Sequence, residues 1–321
     1  MNLKISVNKS VLKKVNDLIT IKDELRIEVE KTENGATLID AGVKAEGGFQ
    51  AGRNLAEICM GGLGQANITV KRYGDIDLPS ITVTTDFPAI ALLGSQFAGW
   101  QIKTSDYFAM GSGPARALAL KPKKLYDKID YKDEADSATI ILETMDNPTT
   151  EAINYIAETC GVNLEQLFVL IVSTSSLTGS TQISGRIVET GLHKLVDVGF
   201  DPKLVLQGSG FAPIAPIHPK FKRAMGRTND ALLYGGSTFF TVKSSDDEEL
   251  KRIVNEVPSS TSKDYGKSFY ETFKGAGFDF YKIDPALFAP ARITVNNVTT
   301  GSIFSAGQIN TSVLKESFFE G

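Results

Sequence analysis

The stretch Leu177–Leu195, L-T-G-S-T-Q-I-S-G-R-I-V-E-T-G-L-H-K-L, holds the residue types best suited to proton-transfer chemistry. It follows Leu167–Val172, an apolar run that reads as a buried strand. Strand, small polar loop and helix form the order in which open α/β sheets place ligands, at the carboxyl ends of their strands. If the stretch is one helix capped by Ser180 or Thr181, then Gln182, Arg186, Glu189 and His193 share one polar stripe, and Ile183, Ile187 and Thr190 turn to the core. An arginine beside a glutamate can orient the carboxylate as a general base. The commoner outcome for such a pair is a solvated ion pair contributing about a few tenths of a kcal/mol. Spacing alone favours that plainer reading.

A second stretch, Asp106–Leu120, reads D-Y-F-A-M-G-S-G-P-A-R-A-L-A-L. Glycines flank Ser112, and Pro114 can begin a short helix whose N–H groups face a ligand. Ser112 and Gly113 are candidate donors there, and Arg116 a candidate cation. The third glycine of a dinucleotide fingerprint is missing, and so is the Gly-Lys-Ser/Thr of a P-loop. The alternative is an ordinary glycine turn with Arg116 at the surface.

Soft metal ligands are sparse: Cys59, Cys160, His193 and His218 are all there are, and zinc would need nearly all four to converge. No metal site is expected. Two separated cysteines without a CxxC motif fit a reducing cytoplasm.

The elements that must position these residues alternate between strand and helix. A helix is expected over 8–20, a hairpin around Glu33-Asn34-Gly35, a helix ending at Gly61-Gly62, and strands at Ala66–Arg72, Ser80–Thr85 and Trp100–Lys103. Ala138–Glu143, Thr149–Thr159 and Leu167–Val172 then follow as a βαβ unit. Gln207–Pro219 is too rich in glycine and proline for regular structure and too apolar for a free loop, so it is expected to cover a pocket or interface. The charged, proline-marked Lys121–Asp136 suggests a surface connection between two α/β lobes, 1–127 and 128–321, with the option that the C-terminal strands return to the first lobe.

With 321 residues, 42% hydrophobic and 22% charged, the chain has room for two such cores. A net charge of −4 argues against a nucleic-acid binder. Apolar and charged residues alternate from Met1 to Lys14, unlike a signal peptide, and no apolar run is long enough to span a membrane.

Several segments together resemble the archaeal methenyltetrahydromethanopterin cyclohydrolases. They are Ala45-Glu46-Gly47-Gly48-Phe49, Cys59-Met60-Gly61-Gly62, Gly99-Trp100, D-Y-F-A-M-G-S-G-P-A-R-A-L-A-L-K at Asp106–Lys121 and G-R-I-V-E-T-G-L-H-K-L at Gly185–Leu195. The similarity runs along nearly the whole chain. It implies two α/β lobes side by side with a ligand pocket between them, assembled as a homotrimer in the cytoplasm. It also implies one-carbon metabolism in methanogenesis, with no tightly bound cofactor and a tetrahydromethanopterin derivative as coenzyme substrate. The reaction would be the reversible hydrolysis of the 5,10-methenyl coenzyme to its 5-formyl form. Glu189 would act as the base and Arg186 would orient it, with Ser112, Gly113, Arg116 and Gln182 binding the coenzyme. His193, one turn further on, fits a helix C-terminus better than catalysis. A non-catalytic oligomeric pterin-binding protein and a different pterin or phosphate-ligand enzyme are the rival readings.

Overall fold

A computed structural model describes residues 5–320, so the first four residues of the alternating N-terminal pattern lie outside it. Among the described residues twelve strands follow in chain order: β1 (Glu28–Lys31), β2 (Thr37–Asp40), β3 (Gly64–Tyr73), β4 (Ile76–Thr85), β5 (Trp100–Lys103), β6 (Phe108–Ser112), β7 (Ala138–Glu143), β8 (Leu167–Val172), β9 (Val205–Pro213), β10 (Ser237–Val242), β11 (Arg292–Asn297) and β12 (Ile303–Gly307). They form two six-stranded mixed sheets, ordered β1-β2-β8-β7-β6-β5 and β12-β11-β10-β9-β4-β3. With their helices these make two compact α/β units, one of Met1–Gln65 with Ala89–Gln182, the other of Ala66–Pro88 with Ile183–Gly321.

This division differs from the single boundary expected near residue 127. The β3–β4 hairpin joins β9 in the second sheet, whereas β7 and β8 stay in the first, so the chain passes between units at 65/66, 88/89 and 182/183. The C-terminal strands β11 and β12 pair with β10 in the second unit. Lys121–Asp136 is not a plain connection either. It contains the helix Lys123–Ile129, which buries Leu125, Tyr126 and Ile129, and the Tyr126 hydroxyl donates to Gly94 O at 2.7 Å.

In the first unit β2, β8 and β7 run parallel, and both of their faces are covered. Leu38, Ile140, Leu142, Val169 and Ile171 point to the helix Thr150–Cys160, while Ile39, Ile141, Leu170 and Val172 point to the helices Val7–Thr20 and Phe49–Cys59. This alternation within apolar strands is what a doubly covered parallel ribbon requires.

In the second unit β9 runs antiparallel between β10 and β4. The irregular apolar loop expected at Gln207–Pro219 is thus, through Pro213, a central strand. Its glycines serve packing: a Cβ on Gly208 would stand 2.9 Å from Val188 Cγ1, and one on Gly210 would stand 2.8 Å from Ser237 O. They let the helix Ile187–Asp197 lie close on the sheet. An aromatic core of Tyr73, Tyr234, Phe269, Phe273 and Phe318 lies with the helices Phe221–Leu233 and Phe269–Gly275.

Candidate active site

β8 ends at Val172 and hands over to the loop Ser173–Ser176. Ser176 Oγ accepts the Gly179 N–H at 3.0 Å and donates to Ser173 O at 2.8 Å, so Ser176 opens the helix Leu177–Ser184. Ser180 and Thr181, the expected caps, are already inside that helix, and Thr181 Oγ1 donates back to Leu177 O at 2.8 Å. Thr178 Oγ1 accepts the Gly48 N–H at 2.9 Å. Gly47, at φ +60°, approaches so closely that a Cβ would stand 2.0 Å from the same oxygen. The paired glycines Gly47-Gly48 are thus explained by the fit of their loop against this helix.

The single helix expected from a cap at Ser180 or Thr181 through His193 is in fact two. It breaks at Gly185 and Arg186, and the second helix spans Ile187–Asp197. Ser184 Oγ donates to Pro213 O at 2.8 Å, which ties the break to the end of β9. A stripe drawn on one straight helix therefore does not survive. Ile183 and Ile187 are buried as expected, while Thr190 is half-buried and its hydroxyl donates to Arg186 O at 3.1 Å.

Arg186 and Glu189 remain together. Arg186 flanks the second helix, Glu189 lies in its first turn, and Arg186 Nη1 is 3.8 Å from Glu189 Oε2. Their exposures are 7% and 6%, which rules out the solvated surface pair that spacing favoured. The chain offers a direct contrast in Glu249 and Arg252, also three apart, which sit 2.6 Å from each other with half of each side chain exposed. Exposed pairs of that kind contribute little. A buried pair must overcome desolvation of both ions, so its place in the first turn of a helix whose dipole attracts anions needs another reason.

The other expected site residues are placed differently. Gln182, in the preceding helix, is fully buried, and neither its amide oxygen nor its nitrogen has a hydrogen-bond partner among the described residues. His193 is partly exposed, with Nδ1 3.4 Å from Asp197 Oδ2 across the last turn. Ser112, Gly113 and Arg116 belong to the first unit and are bonded within it. Ser112 Oγ lies 3.2 Å from Cys59 Sγ, and the Gly113 N–H donates to Ser95 O at 2.8 Å. Arg116, expected at a surface or facing a ligand, is 0% exposed. Its Nε donates to Lys121 O at 2.8 Å and its Nη1 to Leu93 O and Ser95 O, both at 3.1 Å. Among the described residues no group of three or more His, Cys, Asp or Glu is arranged to hold a metal ion. Cys160 is buried, and burial pushes its thiol up to about 12.

Two acids passed over in the sequence end parallel strands: Asp40 closes β2 and Glu143 closes β7. Their signal was a carboxylate directly after an apolar run, which marks the ligand edge of an α/β sheet.

Two mixed α/β sheets, with a buried Arg–Glu pair at the start of a helix, define a protein of the α/β class. The comparisons supply the family. Residues 6–318 match the family model described as Cyclohydrolase (MCH). The chain is 47% identical over 314 residues to the methenyltetrahydromethanopterin cyclohydrolase of Methanococcoides burtonii, covering 98% of each protein. It is 48% identical over 316 residues to that of Methanocaldococcus jannaschii, again covering 98% of each. With the Methanothermobacter marburgensis protein it shares 46% over 319 residues, 98% of this chain and 99% of the relative. The chain belongs to the methenyltetrahydromethanopterin cyclohydrolase family.

Proposed function

We propose that this protein catalyses the reversible hydrolysis of 5,10-methenyltetrahydromethanopterin to 5-formyltetrahydromethanopterin, with Glu189 as base and acid and Arg186 orienting it. The observation that carries the assignment of roles is the burial of that pair at a helix start. Full-length identity to relatives named for this reaction supports the substrate.

The methenyl carbon sits between two nitrogens in an amidinium cation and is already electrophilic. Water adds to it while Glu189 takes a proton from that water, leaving a neutral tetrahedral carbinol. The C–N bond to one nitrogen then breaks as the carbinol becomes a formyl group. The hydroxyl proton leaves through Glu189 and a proton is delivered to the departing nitrogen. One proton is released overall. The anionic Glu189 also favours approach of a cationic substrate. Gln182 is a further proposed contact, since a buried amide without a protein partner calls for one. Ser112, Gly113 and Arg116 have no ligand role in this proposal, because all three are buried in the first unit, where the Gly113 N–H and the Arg116 Nε and Nη1 donate to its own carbonyls.

The coenzyme is consumed as a substrate, in the one-carbon chemistry of methanogenesis, and family membership supports a cytoplasmic homotrimer. No helix among the described residues is long and apolar enough to cross a membrane. Mixing protein with the methenyl coenzyme tests the activity through loss of the coenzyme's absorbance. Glu189→Gln is expected to lower turnover by about 10²- to 10⁴-fold, the usual cost of losing a general base. Turnover at the parent rate would remove Glu189 from this role.

A further inference from the structure

The helix Phe221–Leu233 carries Arg223 and Arg227 one turn apart, so the two side chains share one face. Both line a cleft of ≈ 320 Å³ that lies wholly within the second unit. Two cations at this spacing repel each other. Burial, and after it the charge of Arg223, lower the Arg227 guanidinium from its ordinary value.

The two arginines are held differently. Arg227 Nε donates to Ser317 O and Nη1 to Ile217 O, both at 3.2 Å, which fixes its plane. Arg223 is half-buried, and its guanidinium lies 4.4 Å from the centre of the Tyr270 ring. That guanidinium forms no hydrogen bond or ion pair among the described residues. Ser268 also lines the cleft; it is buried, yet its hydroxyl does not cap the helix Phe269–Gly275 that it precedes. The exposed Glu271 and Glu316 complete the lining without coming within ion-pair distance of Arg223, and Glu271 lies 3.8 Å from Lys274 instead.

These walls are fixed from behind. Asp230, fully buried on the same helix, accepts the Phe269 N–H at 2.8 Å and the Ser317 hydroxyl at 2.6 Å. One carboxylate thus holds both of the segments that face the arginines.

We infer that this cleft binds a small phosphorylated polyol, with its phosphate between Arg223 and Arg227 and its hydroxyls toward Glu271 and Glu316. The site goes beyond the function proposed above and does not depend on it. A guanidinium offers paired N–H donors that match the oxygens of a phosphate, and the Ser268 hydroxyl supplies one more donor. The ring of Tyr270 holds the Arg223 plane in position by a cation–π contact. Carboxylates repel a bare phosphate but accept hydrogen bonds from hydroxyls, so the cleft selects a hydroxylated ester over inorganic phosphate. Its volume suits a small molecule.

Calorimetric titration of the full chain with glycerol 3-phosphate, inorganic phosphate and glycerol tests this. The ester is expected to bind more tightly than phosphate, and glycerol not to bind. Arg223→Gln removes a guanidinium that bonds no protein acceptor, so the thermal midpoint should change little. Affinity for the ester should fall about tenfold or more, the usual loss for a charge-assisted hydrogen bond. Arg252→Gln, which removes an exposed cation elsewhere in the second unit, is expected to leave that affinity unchanged. Changing Glu271 and Glu316 together to alanine should abolish the preference for the ester over phosphate. No heat of binding from the ester at millimolar concentration overturns the site. Equal losses from Arg223→Gln and Arg252→Gln would show general attraction to positive charge and overturn it too. A preference for the ester that survives loss of both glutamates overturns the polyol assignment.

Discussion

Ser317 Oγ donates to Asp230 Oδ2 at 2.6 Å, joining the C-terminal turn to the interior of the helix Phe221–Leu233, where Asp230 is fully buried. Asp230 Oδ1 accepts the Phe269 N–H at 2.8 Å. Burial pushes this carboxyl up to about 8; its hydrogen bonds from Ser317 and Phe269 oppose the rise and Glu316 adds to it. The Ser317 hydroxyl can turn to accept when the acid is protonated. In the unfolded chain an aspartate releases its proton near pH ~3.9. Between that value and about 8 the folded state therefore keeps a proton that the unfolded state has lost. Stability from this group is complete below the unfolded value and is lost as pH rises toward the folded one. Asp230→Asn removes the titration, so urea midpoints from pH 5 to pH 8 are expected to fall less steeply in the variant. Equal slopes would mean that Asp230 does not titrate in this window.

Arg116 braces the first unit. Its guanidinium joins the carbonyls of Leu93, Ser95 and Lys121 and lies 5.3 Å from the centre of the Phe97 ring and 5.6 Å from that of Tyr126. Lysine carries the charge but not the planar fork that reaches several acceptors at once. Arg116→Lys is expected to lower unfolding stability by about 3 kcal/mol, through buried carbonyls left without donors. Coenzyme affinity of the folded protein should not change. Weakened binding with unaltered stability would return Arg116 to a ligand role.

Where local pattern decided structure, the sequence was a sufficient guide. The apolar runs Ala138–Glu143 and Leu167–Val172 are strands over those same residues, because short runs buried on both faces have few other outcomes. Long-range choices were not legible. β9 is a strand because it pairs with β10 and β4, and its glycines leave room for Val188 and Ser237, whereas composition alone makes glycine and proline look like a loop. The β3–β4 hairpin joins the second sheet through pairing with β9, more than a hundred residues on, which no linear boundary can express. Of the candidate site, the types and spacing of Arg186 and Glu189 were visible, but not their burial. That burial depends on the helix break at Gly185, itself tied by Ser184 to Pro213. Arg116 looked like a surface cation because nothing local announces the three carbonyls awaiting it.

The helix Leu177–Ser184 tolerates no added atom at Gly179, where it meets the preceding loop. A Cβ there would stand 2.0 Å from Ser173 O, a backbone atom that cannot swing aside. Gly179→Ala is expected to destabilise by about 1–3 kcal/mol, the usual range for overpacking. Gly275, at the end of the helix Phe269–Gly275, has nothing within 4 Å of its would-be Cβ. Gly275→Ala is expected to be neutral or to stabilise by up to about 1 kcal/mol. Thermal midpoints of the two variants, compared with the parent, separate close packing at Gly179 from a general effect of losing glycine.

Arg186 and Glu189 should behave as one unit. Arg186→Ala strips the cation from a carboxylate that is 6% exposed, and breaking one side of a buried pair costs about 3–5 kcal/mol. Glu189→Gln in the same chain removes the stranded charge, so the double variant is expected to be more stable than Arg186→Ala alone. Turnover should follow the same logic. Arg186→Ala misplaces the base and Glu189→Gln removes it, so the double variant is expected to be no slower than Glu189→Gln by itself. Unfolding midpoints and single-turnover rates for the three variants complete the cycle. Losses that simply add, in stability and in rate, would show that the two side chains act independently and that Arg186 does not orient Glu189.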